Sequence, residues 1–141
     1  MRLDNSFALI SRVRESTNKF LLNELEDLGL RDLAPSHGDV FAALFIHGEL
    51  TMTEIADQIN RDRSTVTTLV NKLTQLGFVS SKKNEKDGRS NIIFLTAKGR
   101  KLEDGFKRIS GKLFNKAYHG ITLEEREVFL TILRKICENL K

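Results

Sequence analysis

One stretch, residues 62–99, constrains the fold of this chain more than any other part of its sequence. Its first part repeats apolar residues at steps of three and four, which predicts a helix with one buried stripe: Val66, Leu69, Val70 and Leu73. Asp62 is suited to cap this helix, and Gly77 is suited to end it. Two β-prone runs follow at 78–83 and 91–96, with Asp87–Gly88 as the turn between them. A short amphipathic helix followed directly by a β-hairpin is therefore predicted.

Helices are predicted on both sides of this stretch. Apolar residues at helical spacing indicate helices over about 7–28 and 35–47, and a capping box formed by Thr51 and Glu54 begins a short one over 52–59. After the hairpin, Thr96 is expected to cap a long helix that reaches about Ala117, and Thr122 begins a last helix. The predicted fold class is mostly α with a small β-hairpin.

The length and composition of the chain favour a single ordered domain. Its 141 residues lie within the range of about 100–200 that is usual for one domain, and Pro35 is the only proline. The longest uninterrupted apolar run, Val40–Ile46, is far shorter than the roughly 20 residues that cross a membrane, and residues 1–10 lack a signal-peptide pattern. Cys137 is the single cysteine, so no internal disulfide can form. We expect a cytoplasmic protein that makes no membrane contact.

Positive charge is concentrated in one part of the chain. Residues 61–101 contain ten Lys or Arg and three Asp or Glu, a net charge of +7, whereas the remaining residues carry −3. Because Lys and Arg that neutralise phosphates dominate affinity for nucleic acids, this distribution favours a polyanionic partner for one face of the molecule. The alternative is an ordinary solvated run of charges.

The polar side of the helix that follows Asp62 has the size and chemistry to enter a major groove, which is about 12 Å wide. Hydroxyl groups are short and can donate or accept hydrogen bonds at close approach, whereas Arg and Asn can pair with guanine and adenine edges. The candidate contacts on and beside this helix are Arg61, Arg63, Ser64, Thr65, Thr67, Thr68, Asn71 and Lys72.

The hairpin carries a second group of candidate contacts. A protruding arginine can enter a narrow minor groove, where the potential is most negative, and Arg89 is our candidate for this role. Asp87 is expected to form the turn and to hold a neighbouring basic side chain. The candidate contacts of the hairpin are Lys82, Lys86, Asp87, Arg89 and Ser90. Helix and hairpin together predict a protein that binds double-stranded DNA.

These residues resemble the motifs of the multiple antibiotic resistance regulator (MarR) family. The similarity is carried by residues 62–67 (DRSTVT), the tip 87–90 (DGRS), and Leu95-Thr96 with Gly99, and the order and lengths of the flanking helices extend it over nearly the whole chain. Thr68 departs from the family, in which this position is often basic. The resemblance implies a winged helix-turn-helix lobe over 30–100 within a single domain, 1–141, and a helical dimerisation region formed by 1–29 and 101–141.

The resemblance also implies a function. Members of this family are homodimeric transcription regulators, usually repressors, in which the recognition helix enters the major groove and the wing arginine, here Arg89, enters the minor groove. Independently of the family, the apolar faces of the terminal helices favour self-association, and a two-fold dimer reads two half-sites about 10 base pairs apart on a pseudo-palindrome. A small-molecule effector is implied by the resemblance alone. Phe20, Phe41 and Phe45 are candidates to line its cavity, with core packing as the alternative role of each.

Other functions have less support in the sequence. The alternative function is a winged helix that docks on another protein without binding DNA, and the basic excess argues against it. We predict no enzyme, because no catalytic motif such as G-x-S-x-G is present. His37, His47 and His119 lack a paired metal-binding spacing, so neither a metal nor another cofactor is expected.

Overall fold

The computed structural model describes residues 3–141, and this part of the chain contains seven helices and three strands. The helices are α1 (Ser6–Asp27), α2 (Pro35–His47), α3 (Met52–Ile59), α4 (Arg63–Gln75), α5 (Ala97–Arg100), α6 (Glu103–Ala117) and α7 (Leu123–Asn139). The strands are β1 (Glu49–Thr51), β2 (Val79–Lys83) and β3 (Asn91–Leu95). The predicted fold class, mostly α with a small hairpin, is confirmed. Over residues 3–141 no helix combines the length and the apolar character needed to span a membrane.

The chain forms two compact units. The first ends at Ile109, and the second is Ser110–Lys141. The first unit contains α1 to α5, the sheet and the beginning of α6, and the second contains the end of α6 and α7. All the residues predicted to contact DNA belong to the first unit.

The three strands form an antiparallel sheet in the order β1-β3-β2. Strands β2 and β3 are the predicted hairpin, called the wing below, in which Val79 pairs with Leu95 and Lys83 with Asn91. Because side chains alternate across a sheet, one face of its base is apolar and buried: Leu50, Val79, Ile93 and Leu95. Residues 85–89 at the other end are exposed. The wing is therefore anchored at its base and open to solvent at its tip.

Helices α3 and α4 are joined by a three-residue turn, 60–62. Asn60 adopts a left-handed conformation with φ 55°, and the N–H of Arg61 donates to the carbonyl of Ala56 at 3.1 Å, which ends α3. Asp62 then caps α4, since its Oδ1 accepts the N–H of Thr65 at 2.8 Å. These bonds satisfy backbone groups at both sides of the turn, and the two helices form a helix-turn-helix.

The core of the first unit packs against the apolar side of α4. The apolar stripe predicted for this helix is buried: Val66, Leu69, Val70 and Leu73. Phe41 of α2 is fully buried, and its ring lies 5.8 Å from that of Phe45, 5.6 Å from Phe78 and 4.9 Å from Phe106. Since one side of α4 is covered by this core, its polar side is left to solvent.

The terminal helices bury little of their apolar surface within one chain. Leu25 is the one buried residue of α1, and α7 has none. In α7 Val128 is 59% exposed and Ile132 is 51% exposed, and in α1 Val13 is 65% exposed. Exposed apolar surface of this kind is typical of helices that associate with another chain.

Two features differ from the sequence-based predictions. Strand β1 was not predicted, because its three residues pair with β3, more than 40 positions later. The single long helix expected from Thr96 to Ala117 is wrong, since Thr96 caps only α5 and a new helix begins at Glu103. The break occurs where the N–H of Leu102 bonds to the carbonyl of Gly99, one residue closer than in an α-helix. The apolar spacing continues through the break, which is why periodicity did not reveal it.

Candidate nucleic-acid interface

The outer side of α4 is an exposed, polar helix face. Ser64, Thr68 and Asn71 are exposed along it, and Arg63 is exposed at its beginning. Thr65, Thr67 and Lys72 are half-buried at its edges. Gln75, four residues after Asn71, extends the same face and is a further candidate contact that the helical spacing indicates.

Two hydroxyl groups of this face bond back to their own helix. Thr67 Oγ1 donates to the carbonyl oxygen of Arg63 at 2.9 Å, and Thr68 Oγ1 donates to that of Ser64 at 3.2 Å. This is the i to i−4 bond that Ser and Thr often make inside helices. Each of the two hydroxyl protons therefore already forms a hydrogen bond within α4.

The negative charge of Asp62 serves the cap of α4. Hydrogen bonds from Thr65 lower the pKa of the Asp62 carboxyl below its ordinary value, so the group is a carboxylate at neutral pH. Ser64 Oγ also donates to it at 3.4 Å. An acidic residue inside a basic region therefore has a structural role at the positive end of the helix dipole.

The wing tip, residues 84–90, is closed by its own hydrogen bonds. Asn84 N–H donates to the carbonyl of Ser90 at 3.2 Å, and its amide Nδ2 donates to Ser90 Oγ at 3.1 Å. Asp87 Oδ1 accepts the backbone N–H of Arg89 at 3.0 Å. The predicted turn-forming role of Asp87 agrees with this geometry. The expectation that it also holds a basic side chain is wrong, since within residues 3–141 its carboxylate forms no ion pair.

The basic side chains of the wing differ in their availability. Lys82 Nζ lies 2.7 Å from the Glu49 carboxylate and 5.7 Å from the centre of the Phe94 ring, so its charge is paired on the outer face of the sheet. Arg89 and Lys86 are exposed, and in the described part of the chain their side chains have no hydrogen-bond or ion-pair partner. Glu49 lies 33 positions before Lys82, so no local pattern indicated the pairing.

A cleft separates the beginning of α4 from the wing tip. It has a volume of about 340 Å³, and Arg63 and Arg89 both line it, with Thr53 of α3 and Asn91 of β3. Among the residues the structure describes, the guanidinium group of Arg63, like that of Arg89, has no hydrogen-bond or ion-pair partner. The structure thus brings together the helix and hairpin candidates, and it adds Thr53 and Asn91, which no sequence motif indicated.

The other two cations of the α4 region lie toward α2. Arg61 is exposed, and its Nη2 donates to Ser36 Oγ of α2 at 2.8 Å. Lys72 is close enough to His37 for its charge to act on that residue. Burial first, and then this charge, lower the pKa of His37 below its ordinary value.

Of the three phenylalanines proposed for a ligand cavity, Phe41 and Phe45 stack on each other, with ring centres 5.8 Å apart. Phe41 is enclosed by other rings and packs in the core, whereas Phe45 and Phe20 are half-buried.

A different cavity of about 450 Å³ lies in the first unit, beside the end of α4. Its apolar lining is Leu30, Leu33, Leu76, Phe78 and Leu102, with Lys98 and Lys101 alongside. Within residues 3–141, His, Cys, Asp and Glu do not gather into a metal-binding group of three.

Comparisons with known proteins agree with this geometry. The sequence model of the MarR family matches residues 33–90. The organic hydroperoxide resistance transcriptional regulator of Bacillus subtilis is 30% identical over 117 residues, which are 80% of this chain and 76% of that protein.

Solved structures share the fold over nearly the whole chain. A mutant MarR from E. coli complexed with operator DNA has a TM-score of 0.82 at 20% identity, and the match covers 96% of this chain and 99% of that one. The PcaV transcriptional regulator from Streptomyces coelicolor, in complex with its natural ligand, has a TM-score of 0.84 at 17% identity and covers 100% and 99%.

A helix-turn-helix with an exposed polar second helix, followed by a basic wing, defines a winged-helix transcription regulator that binds DNA. The chain belongs to the MarR family, as the resemblance implied. Proteins of this family are transcription regulators and not enzymes, in agreement with the lack of a catalytic motif.

Proposed function

We propose that this protein is a homodimeric repressor that reads a pseudo-palindromic operator. In this proposal the lobe formed by residues 30–100 binds DNA through the candidate contacts of α4 and the wing, while residues 1–29 and 101–141 form the dimer. The observation that carries it is the cleft between α4 and the wing tip, where Arg63 and Arg89 are unpaired among the described residues. The double helix has a phosphate backbone between adjacent grooves, and a cleft of this kind can receive that backbone while α4 and Arg89 occupy the grooves on either side.

The predicted contacts then have distinct roles. Arg63 and Asn71 are suited to base edges, and the exposed cations Arg61 and Lys86 are suited to phosphates. Asp62 and Asp87 organise the backbone that presents them. Lys82 has to leave Glu49 before it can meet a phosphate, so we assign it a smaller share of the affinity.

The DNA contact is tested by fluorescence anisotropy with a duplex selected by the wild-type protein from a random pool. We expect log affinity to fall steeply with log salt concentration, because phosphate contacts release counterions. Arg89→Ala should weaken binding without unfolding the protein, since the tip is exposed. Arg31→Ala, which removes an exposed arginine paired with Glu26, is the matched control. Absence of duplex binding at low salt would instead favour protein docking.

The dimer is supported by apolar surface that a single chain leaves uncovered. The helix α7 buries none of its residues, although Val128, Phe129 and Ile132 are apolar. A second copy that covers this surface removes it from water and provides the two-fold symmetry of a pseudo-palindromic site. Sedimentation at micromolar concentration is expected to show a dimer, and a stable monomer would contradict the proposal.

The regulatory sign and the effector complete the proposal. A dimer bound across a promoter excludes the transcription machinery, so deletion of the gene should raise expression from its target promoter.

We also propose that a small ligand lowers operator affinity. This requires that the ligand bind the DNA-binding conformation and the other conformation of the dimer with different affinity. The structure of PcaV with its natural ligand supports this for a protein of the same fold. Phenolic compounds that leave operator affinity unchanged would count against it. As a regulator of chromosomal genes, the protein would act in the cytoplasm.

A further inference from the structure

The side chain of Arg61, just before the recognition helix, is hydrogen-bonded to a residue of a different helix. Arg61 follows Asn60 in the helix-turn-helix turn and directly precedes the cap residue Asp62. Its side chain is exposed, yet Nη2 donates a hydrogen bond to Ser36 Oγ at 2.8 Å. Ser36 lies 25 positions earlier, in the first turn of α2. The bond therefore ties the turn of the helix-turn-helix to the beginning of α2.

The beginning of α2 is a fixed platform for this bond. Pro35 occupies its first turn and restricts the backbone there. The N–H of Ala34 donates to His37 Nδ1 at 2.9 Å, which closes the turn around Ser36. One turn later, Val40 is fully buried in the core. The backbone that carries Ser36 is consequently fixed by its neighbours.

A serine hydroxyl orients the guanidinium group without neutralising it. Guanidinium has five N–H donors, so four remain after the bond to Ser36. Asp39 is also on α2, but within the described residues no ion pair joins it to Arg61. Burial raises the pKa of the Asp39 carboxyl, while the charges of Arg61 and Arg14 act in the opposite direction. The arrangement contrasts with Lys82, whose charge is paired with the Glu49 carboxylate at 2.7 Å.

We infer that Ser36 is a positioning residue for DNA binding: it holds the guanidinium group of Arg61 ready for a phosphate beside the recognition helix. An unrestrained arginine loses conformational freedom when it binds, and holding it in advance reduces that loss. The inference rests on the proposed placement of α4 in the major groove. It gives a residue of α2 an indirect role in DNA binding, through the side chain of Arg61.

The test is a double-mutant cycle with the selected duplex, measured by anisotropy over a series of salt concentrations. Arg61→Ala is expected to lower affinity and to reduce the salt slope by about 0.9, the value for one phosphate contact on B-DNA. Ser36→Ala is expected to lower affinity about threefold, the scale of ordering one long side chain, with little change in slope. In the Arg61→Ala background, Ser36→Ala should have no further effect. Ser36→Thr keeps the hydroxyl and should restore affinity.

The controls separate this inference from the wider proposal. Ser11→Ala, at an exposed position of α1, should bind like wild type, and urea unfolding of each variant shows whether the fold is retained. An equal loss from Ser36→Ala with and without Arg61 would overturn the positioning role. Unchanged binding by Arg61→Ala, with binding still lost in Arg89→Ala, would overturn this inference and leave the DNA interface intact. If wild type does not bind any duplex, the proposed function itself fails.

Discussion

The ammonium nitrogen of Lys98 donates a hydrogen bond to the carbonyl oxygen of Leu76 at 2.6 Å and lies 4.6 Å from the centre of the Phe78 ring. Leu76 is the C-cap of α4, so this cation is at the negative end of the recognition helix. Two positions earlier, Thr96 Oγ1 donates to the carbonyl oxygen of Gly77 at 2.6 Å. The short helix α5 thereby anchors the end of α4 and the base of the wing to each other.

Replacement of Lys98 tests this anchor. Lys98→Met keeps the apolar stem and removes the charge, and we expect it to lower the free energy of unfolding by about 0.3–1 kcal/mol, the usual contribution of a cation at a helix C-terminus. Urea unfolding provides the measurement. Lys101→Met, at an exposed position on the next turn, is the matched control and should change the free energy of unfolding little. An equal loss in both variants would show that the bond to Leu76 is not responsible.

Gly99 is required by close packing rather than by backbone conformation. A methyl group at this position would collide with the carbonyl oxygen of Phe78, which belongs to the backbone and cannot easily move. Gly99→Ala is therefore expected to lower the free energy of unfolding by about 2–3 kcal/mol, as overpacking does.

The control for this substitution is a helical glycine in open space. A methyl group at Gly111 of α6 would meet no atom within 4 Å, so Gly111→Ala should leave the melting temperature of the protein unchanged or raise it. Thermal unfolding followed by circular dichroism compares the two. Similar melting temperatures of the two variants would contradict the proposed collision.

His37 should make folding stability depend on pH. Its Nδ1 accepts the N–H of Ala34, which only a neutral imidazole can do, and burial followed by the charge of Lys72 lowers its pKa below 6.5. The unfolded chain then binds a proton more readily than the folded one, so the free energy of unfolding should decrease as pH falls below about 6.5.

An asparagine at position 37 isolates this effect. Its Oδ1 can accept the same N–H but does not titrate, so His37→Asn should flatten the dependence of the free energy of unfolding on pH below about 6.5. His47→Asn, at an exposed position, should retain the wild-type dependence. A slope that is the same in His37→Asn and wild type would refute the assignment.

Asn60 has a φ of 55°, and among residues 3–141 it is the only residue other than glycine with a positive φ. Asparagine tolerates this conformation and alanine does not, so Asn60→Ala should lower the free energy of unfolding by about 1–2 kcal/mol. Asn60→Gly should be close to wild type, because glycine adopts the same φ without strain. Urea unfolding of the pair is the measurement, and equal stability of the two variants would mean that the turn relaxes to another conformation.

Local patterns predicted the elements of the DNA-binding part well. The stripe from Val66 to Leu73, the cap at Asp62 and the capping box of Thr51 and Glu54 all depend on residues within two turns of each other, and the structure shows each of them. The hairpin and its turn at Asp87–Gly88 are local in the same sense.

Contacts between distant residues were beyond such patterns. Ser36 with Arg61, Glu49 with Lys82 and Leu76 with Lys98 are separated by 25, 33 and 22 positions. Each depends on how whole elements pack, and each changes what a basic side chain is able to do. The clustering of Lys and Arg in the sequence therefore indicates where the candidate interface lies, but not which of these cations are bonded to other protein groups.

The hydrogen bonds of Thr67 and Thr68 to their own helix have a consequence for the sequence of the operator. With its proton given to a backbone carbonyl, each hydroxyl presents only lone pairs on its outer side. Lone pairs can accept from the exocyclic amines of adenine and cytosine, whereas guanine O6, thymine O4 and phosphate oxygens have no proton to give. Operator positions that meet these threonines are thus expected to be adenine or cytosine, unless the side chains first rotate away from α4.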